Sequence, residues 1–406
     1  MDIEIRPILE EELDGFFRAS ADASSSATSD DDLARERSMA EPDRCFAAFD
    51  GAQIVGTAGA YTMPMTVPGS QTEVGFVTAV GVLPTHRRRG INTELMRRQL
   101  EDARRRGETV SVLFASEGGI YGRFGYGLAT FGLSFLVETA RSAFVRGYEA
   151  AGEIRGVGRA EAVREILSIN EANRPLRPGM VHLDRRSLEY DLGHEHGQDK
   201  TIPSFFVLHV GDEGTDGYAV YKVRESWPHG FSESVLSVRH LDATTPGAYA
   251  DLWRFVLDVD LIEKVEAWNR PLDEPLLYLL RDPRRIRPTM IDNLWVRLVD
   301  VSGALAARRY PSDGRLGFEV ADPFGPWNEG RYALEVSGGE AIVEVGADVP
   351  VDLACTVTDL GAAYLGGTTF RQLHRAGRVE ELNEGALELA DALFGWDPAP
   401  WSPYSF

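Results

Sequence analysis

The chain has 406 residues, enough for roughly two or three domains of ordinary size. Its formal net charge of −21 argues against a nucleic-acid partner, because such binding rests on Lys and Arg neutralising phosphates. The same charge is compatible with a cationic substrate, but by itself it favours a solubility feature, since net charge says little about any one site. Hydrophobic residues make up 43% and charged residues 26%, both ordinary for a globular protein with sizeable cores. The two cysteines, Cys45 and Cys355, are too few for a disulfide framework or a CxxC metal site. The start, MDIEIRPILEEELDGFF, lacks a basic region followed by an apolar one. No apolar run is long enough to span a bilayer, so a cytoplasmic protein without a membrane span is expected.

Residues 3–6 alternate like a short strand, Leu9 to Ser20 reads as a helix, and the Ser- and Asp-rich stretch Ala21 to Asp32 reads as a mobile loop. Phe46 to Met65 reads as a hairpin turning at Asp50-Gly51, and Glu73 to Leu83 as a further strand. Apolar residues at 91, 95, 96, 100 and 103 have helical spacing, with Gly107 as the C-cap. Val110, Val112 and Phe114 then alternate in a strand, so strand, helix and strand form an α/β unit with a parallel pair.

A second section begins near Val157. Glu161 to Asn173 reads as a helix stopped by Pro175. Strands follow at Ser204–His209, Gly217–Arg224 and Ser234–Leu241, then a helix at Tyr249–Leu257. This element order suggests a degenerate second copy of the first fold. The Pro- and Arg-rich run 281–295 reads as a boundary. Beyond it, strands at Gly317–Val320, Tyr332–Val336 and Ala341–Val345 precede helices at Asp359–Leu365, Phe370–Ala376 and Ala386–Leu393. The chain is thus α/β and α+β in class, in three sections, 1–150, 151–290 and 291–406.

Between Pro84 and Arg106 there are eight arginines against three acids, a local charge of +5 in an acidic chain. Arg87, Arg88, Arg89 and Gly90 stand at the expected helix start. Free backbone N–H groups and the positive end of the helix dipole already favour an anion there. Cations at that end oppose the dipole unless an anion compensates, so residues 87–90 read as an anion site. Arg97, Arg98, Arg104, Arg105 and Arg106 read as a solvated face. No GxxxxGK[ST] and no GxGxxG follows a strand, so neither a P-loop nor a dinucleotide fold is indicated.

Arg87-x-x-Gly90 after a strand resembles the pyrophosphate loop of the GNAT superfamily of N-acetyltransferases. HRRRG, ASEGGIYGRFGYG and a C-terminal section with DLGAAYLGG, FRQL and AGRVEEL together resemble the enhanced-intracellular-survival (Eis) family, over nearly the whole chain. The resemblance implies tandem GNAT-like domains followed by a domain like sterol carrier protein 2. It implies acetyl-CoA as co-substrate, no metal, a small-molecule amine acceptor such as an aminoglycoside or other polyamine, and a homohexamer. Val80, Gly81 and Val82 would hydrogen-bond the pantetheine through their backbone. Arg88, Arg89, Gly90, Ile91, Asn92 and Thr93 would cradle the pyrophosphate, with Arg87 opening the loop. Ser116 and Glu117 would line the cleft, Tyr121 would be the general acid, and the terminal carboxylate of Phe406 the general base. Asn92 stands where the superfamily often has Gly or Ala.

From the residues alone, Tyr121 reads first as an aromatic packed in a Gly-rich turn, and Glu73 and Glu117 are rival bases. His194-x-His196 lacks a third metal ligand and reads as a surface loop. Two other functions compete: acetylation of protein or peptide lysine, and a non-catalytic lipid carrier or scaffold. The carrier would need a large apolar tunnel in 295–406.

Overall fold

The computed structural model describes residues 3–193 and 201–404. The chain opens with β1 (Glu4–Pro7), α1 (Leu13–Ala23), α2 (Asp30–Met39), β2 (Phe46–Asp50), β3 (Gln53–Val67) and β4 (Ser70–Val82). It continues through α3 (Ile91–Arg106), β5 (Val110–Phe114), α4 (Gly118–Tyr121) and β6 (Gly127–Leu128). The five apolar positions expected on one face of α3 are all buried. Each contributes roughly 1.5–3 kcal/mol by burial for the larger side chains and less for Ala103. The Asp-rich stretch read as a loop instead starts α2. Ser29 accepts from Asp32 N while the Asp32 carboxylate accepts from Ser29 N, a capping box. Asp30, Asp31 and Asp32 fill the first turn, where acids complement the dipole.

β7 (Phe131–Glu138), β8 (Glu153–Val157), α5 (Arg159–Asn173), α6 (Arg185–Gly193), β9 (Phe205–Gly211), β10 (Gly214–Arg224) and β11 (Ser234–Ala243) follow. Next come α7 (Pro246–Leu257), β12 (Ile262–Pro271), α8 (Leu276–Leu279) and β13 (Thr289–Asp292). The remainder holds β14 (Leu294–Leu298), α9 (Val301–Ala307), β15 (Gly314–Ala321), β16 (Gly330–Ser337) and β17 (Glu340–Val345). β18 (Leu353–Thr356), α10 (Val357–Ala363), α11 (Phe370–Arg375), β19 (Glu380–Glu381) and α12 (Ala386–Phe394) complete it.

Three sheets result, ordered β1-β2-β3-β4-β5-β14-β6, β13-β7-β12-β11-β10-β9-β8 and β17-β16-β15-β18-β19. The segment read as a boundary, 281–295, carries β13 and opens β14. β14 inserts between β5 and β6, antiparallel to both. One compact unit therefore gathers residues 1–130, 176–181 and 292–406, and a second gathers 131–175 and 182–291. The units interleave chain segments, whereas sections cut at 150 and 290 run in chain order.

In the first unit, α10 lies directly on the sheet. A Cβ at Gly361 would stand 2.3 Å from Val296 O, and one at Gly127 would stand 2.0 Å from Thr358 O. The glycine of DLGAAYLGG is thereby explained by backbone approach. The arginine face of α3 is largely exposed, as expected, and also makes contacts along the surface. Arg97 lies over Phe324 at 5.0 Å and Arg104 over Trp327 at 5.2 Å. Asp102 accepts from Arg105 and Arg106, and Glu94 from Arg98. In the carrier-like part, Phe318, Phe370 and Phe394 pack mutually with centroids 5.0–6.1 Å apart.

The second unit repeats the strand–helix–strand order, with β11 and β12 parallel across α7. Its helix start differs. Thr245 caps α7 by accepting from Ala248 N at 3.2 Å, and Pro246 follows. That helix closes its own N-terminus. Among the described residues no helix is long and apolar enough to cross a membrane.

Candidate active site

The site is built on a break in the first sheet. β4 and β5 run parallel from Val74↔Val110 to Val77↔Leu113, and the pairing stops there. Across the other edge, β4 pairs with β3 through Thr78↔Gly59 and Gly81↔Thr57, so three steps on β4 face two on β3. This bulge puts Ala79 at φ +50° and is pinned by Thr57 Oγ1 donating to Ala79 O at 2.8 Å. A bulge bends its strand, so β4 turns away from β5 beyond Val77. Among the described residues no strand pairs with 79–82 on the β5 side, which is the arrangement an extended ligand with amide groups can extend as an added strand.

A cleft of about 780 Å³ opens along that edge. Val80, Gly81 and Val82 line it, as do Arg87, Arg88, Gly90, Ile91, Asn92, Thr93, Ser116, Glu117 and Tyr121. Of the expected donor-site residues only Arg89 falls outside the lining; its guanidinium donates to Thr85 O. Glu73, a rival base on sequence grounds, is also outside it. Phe406, and the pair His194 and His196, lie outside the described residues. Among the described residues no cluster of His, Cys, Asp and Glu could hold a metal ion.

The α3 start carries the anion chemistry. Gly90 is its N-cap at φ +80° and supplies no side-chain acceptor, so the first-turn N–H groups are left for a ligand. A residue with a Cβ is strained at that φ, which accounts for the glycine. Arg87 is committed to the protein, donating to Ala23 O at 2.8 Å and Val82 O at 3.3 Å. Arg88, exposed and itself at φ +62°, faces the cleft without a carboxylate partner among the described residues. Asn92 Oδ1 is a buried acceptor with no partner. An uncapped helix end, an unengaged guanidinium and an orphaned acceptor fit a ligand that brings phosphate oxygens together with N–H or O–H donors.

Tyr121 ends α4 on the other wall. It is 5% exposed and packs edge-on against Tyr126 at 6.1 Å. Burial raises its phenol above the ordinary value near 10, a shift only partly opposed by a hydrogen bond with Ser116. The phenol therefore keeps its proton at neutral pH. Behind it, Tyr126 and Ser111 share a 2.8 Å hydrogen bond, and Ser111 Oγ donates to Gly75 O. Arg44 further braces the sheet, donating to both Glu108 oxygens at 2.5 and 2.8 Å.

Sequence reading missed the α1 end of the cleft: Ser20, Ala23, Ser24 and Ser25. The apposition rests on Gly81, where a Cβ would come within 2.7 Å of the Ala23 Cβ. It also missed Arg123, which lines the cleft beside Tyr121. The ASEGGIYGRFGYG run contains that arginine, but only the fold shows which way the turn faces.

Residues 4–129 and 179–298 match acetyltransferase (GNAT) domain families, and 301–403 match a sterol carrier protein domain family. The N-acetyltransferase Eis of Mycobacterium tuberculosis is 33% identical over 378 residues, covering 88% of this chain and 87% of that protein. An uncharacterized N-acetyltransferase of Streptomyces coelicolor is 45% identical over 363 residues, 87% of this chain and 86% of its own. The crystal structure of Eis1 from Mycobacterium abscessus superposes with a TM-score of 0.85 at 33% identity, covering 99% of this chain and 100% of that one. A GCN5-related N-acetyltransferase from Anabaena variabilis shares the fold, with a TM-score of 0.86, 19% identity and full coverage of both chains.

Proposed function

Since the chain belongs to the Eis family of GNAT N-acetyltransferases, we propose that its first-unit cleft transfers acetyl from acetyl-CoA to an amine of an aminoglycoside-like or other polyamine substrate. The continuous wall formed by the unpaired β4 edge, the uncapped α3 start and Tyr121 carries this reading. Val80, Gly81 and Val82 offer backbone groups to the pantetheine. Arg88 and the first-turn N–H groups meet the pyrophosphate. Asn92 Oδ1 accepts from a ligand donor.

In the reaction the amine attacks the thioester carbonyl, the new N–C bond forms and the C–S bond breaks. Tyr121 gives its proton to the departing sulfur. The amine proton goes to the terminal carboxylate of Phe406, directly or through water. A carboxylate with an ordinary pKa near 3.5 is a weak base for a free ammonium. Its task is to orient the amine and take the far more acidic proton of the attacked species. Glu117, exposed at the cleft, is the rival base that the described residues retain.

The experiment is a thiol-release assay with acetyl-CoA against polyamines, aminoglycosides and lysine peptides. Amine-dependent release with the small polyamines supports the reading. Release with lysine peptides alone would transfer it to protein acetylation. Bound acetyl-CoA with no release by any amine would remove the enzymatic reading in favour of a scaffold. A homohexamer is part of the reading, supported by the exposed Trp227, Phe231, Trp268 and Tyr278 of the second unit, and sedimentation velocity tests it.

A further inference from the structure

The phosphoryl groups of acetyl-CoA need more cation than the α3 start supplies. On the proposed reading the diphosphate takes the first-turn N–H groups and Arg88. A 3′-phosphate monoester adds a further charge of about −1.5 to −2 at neutral pH. The chain as a whole carries a formal net charge of −21, so a second phosphate site has to be built locally. The neighbouring arginines of the loop are engaged by the protein: Arg87 donates to Ala23 O and Val82 O, and Arg89 to Thr85 O.

Arg123, two residues beyond Tyr121, offers a cation from the other wall. It sits in the short turn after α4, is exposed, lines the cleft and has no carboxylate partner among the described residues. Its guanidinium lies over the Phe124 ring, 4.7 Å from the centroid. Phe124 touches Phe324 with centroids 5.0 Å apart, and Arg97 lies over Phe324 at 5.0 Å. Two guanidinium groups thus bracket a pair of rings. A guanidinium resting on a ring by its face keeps the N–H fork at its edge free for a bidentate acceptor such as phosphate.

The helix aims Arg97 at the same place. Thr93, which lines the cleft, and Arg97 are four residues apart and share a face of α3. Helical side chains lean toward the N-terminus of their helix, so Arg97 leans back toward the α3 start. The rise from Ile91 to Arg97 is about 9 Å, a step that a ribose and an arginine side chain span together. Within the protein Arg97 has a half-exposed contact with Glu94, Nε to Oε2 at 3.5 Å, and Glu94 also binds Arg98. Such surface pairs hold their charges weakly, so Arg97 can turn to a phosphate. The ring beneath it is fixed. Asp322, fully buried, accepts from Gly325 N, Asn328 Nδ2 and the Arg297 guanidinium, and so braces the turn that carries Phe324.

We propose that Arg123 and Arg97 form the subsite for the 3′-phosphate of acetyl-CoA. The inference rests on the reading of the cleft as the acetyl-CoA site. It adds the group by which the protein tells CoA from a donor that ends in an unphosphorylated ribose.

Isothermal titration calorimetry of the full chain with CoA and with 3′-dephospho-CoA tests this without any acceptor amine. The parent chain should bind 3′-dephospho-CoA about tenfold more weakly, or worse, the scale of one lost charge-assisted hydrogen bond. Arg123→Ala and Arg97→Ala should each weaken CoA about tenfold while changing 3′-dephospho-CoA less than about twofold. Equal affinity of the parent for the two ligands would overturn the inference and leave the cleft as the CoA site. An equal loss for both ligands in either variant would take that arginine out of the subsite and overturn the pairing. No binding of either ligand by the parent would remove the reading of the cleft together with the inference. Should Arg123→Ala disturb the turn that carries Tyr121, seen as a fall in Tm, Arg123→Gln removes the charge and keeps most of the side chain. The same selective loss of CoA is expected of it, and an undiminished preference for CoA over 3′-dephospho-CoA would overturn the proposal.

Discussion

Gly127 and Gly361 meet backbone to backbone, with a Cβ built on Gly361 only 3.4 Å from Gly127 N and 2.3 Å from Val296 O. This apposition fastens α10 of the carrier-like part onto β6 and β14 of the catalytic sheet, on the same run of chain that ends at Tyr121 and Tyr126. The later part of the chain thereby packs on the sheet that carries the cleft, while the residues lining the cleft fall between Ser20 and Arg123.

Gly361→Ala should destabilise the first unit by ~1–3 kcal/mol or more, because backbone atoms on both sides cannot yield as side chains do. Urea denaturation followed by fluorescence reads this directly. A variant as stable as the parent would mean that α10 slides at little cost.

The loop arginines should separate by function. Arg88 has no carboxylate partner among the described residues, so Arg88→Ala should raise the KM for acetyl-CoA about tenfold, the worth of one lost charge-assisted hydrogen bond, while Tm stays within a degree or two. Arg87→Ala removes bonds to Ala23 O and Val82 O and should lower Tm as well. Equal effects of the two on both quantities would contradict the division of labour.

Tyr121→Phe should lower kcat roughly a hundredfold or more with little change in acetyl-CoA binding. The pH dependence has a definite sign. Burial raises the phenol's pKa, so its proton is retained through neutral pH and lost only above the ordinary value near 10. The alkaline limb of kcat assigned to Tyr121 should therefore begin no earlier than pH 10 and vanish in Tyr121→Phe. A limb near pH 8 would point to another acid.

Appending one residue after Phe406 should cut kcat by about a hundredfold without lowering Tm, if the terminal carboxylate is the base. Retained turnover would pass the role to Glu117, and Glu117→Gln would then show the loss.

Arg44→Ala should cost about 3–5 kcal/mol, because it leaves Glu108 buried and unpaired beneath β4. Replacing both with apolar residues of similar volume should recover much of that loss. Thermal unfolding of the single and double variants distinguishes a needed pair from a replaceable one.

What the sequence alone determined was mostly local. The helix over 91–106 was legible because five apolar side chains recur at helical spacing, whereas the αL conformation of Gly90 emerged only in the structure. The donor loop was read from arginines at a helix N-terminus, which oppose the dipole unless an anion compensates. Spacing was silent wherever the partner is distant in the chain. No periodicity could reveal that β14 slips between β5 and β6, since a strand's pattern records which face is buried and not which strand lies alongside. That Arg97 and Arg104 of α3 lie over Phe324 and Trp327, more than two hundred residues away, left no mark in the helix's own pattern. The bulge that opens the cleft depends on a register mismatch between two strands, which neither encodes by itself. Asn293 is the sharpest case: a lone polar residue in a boundary-like run, whose amide finds Ser402 N and O only when the fold brings them together.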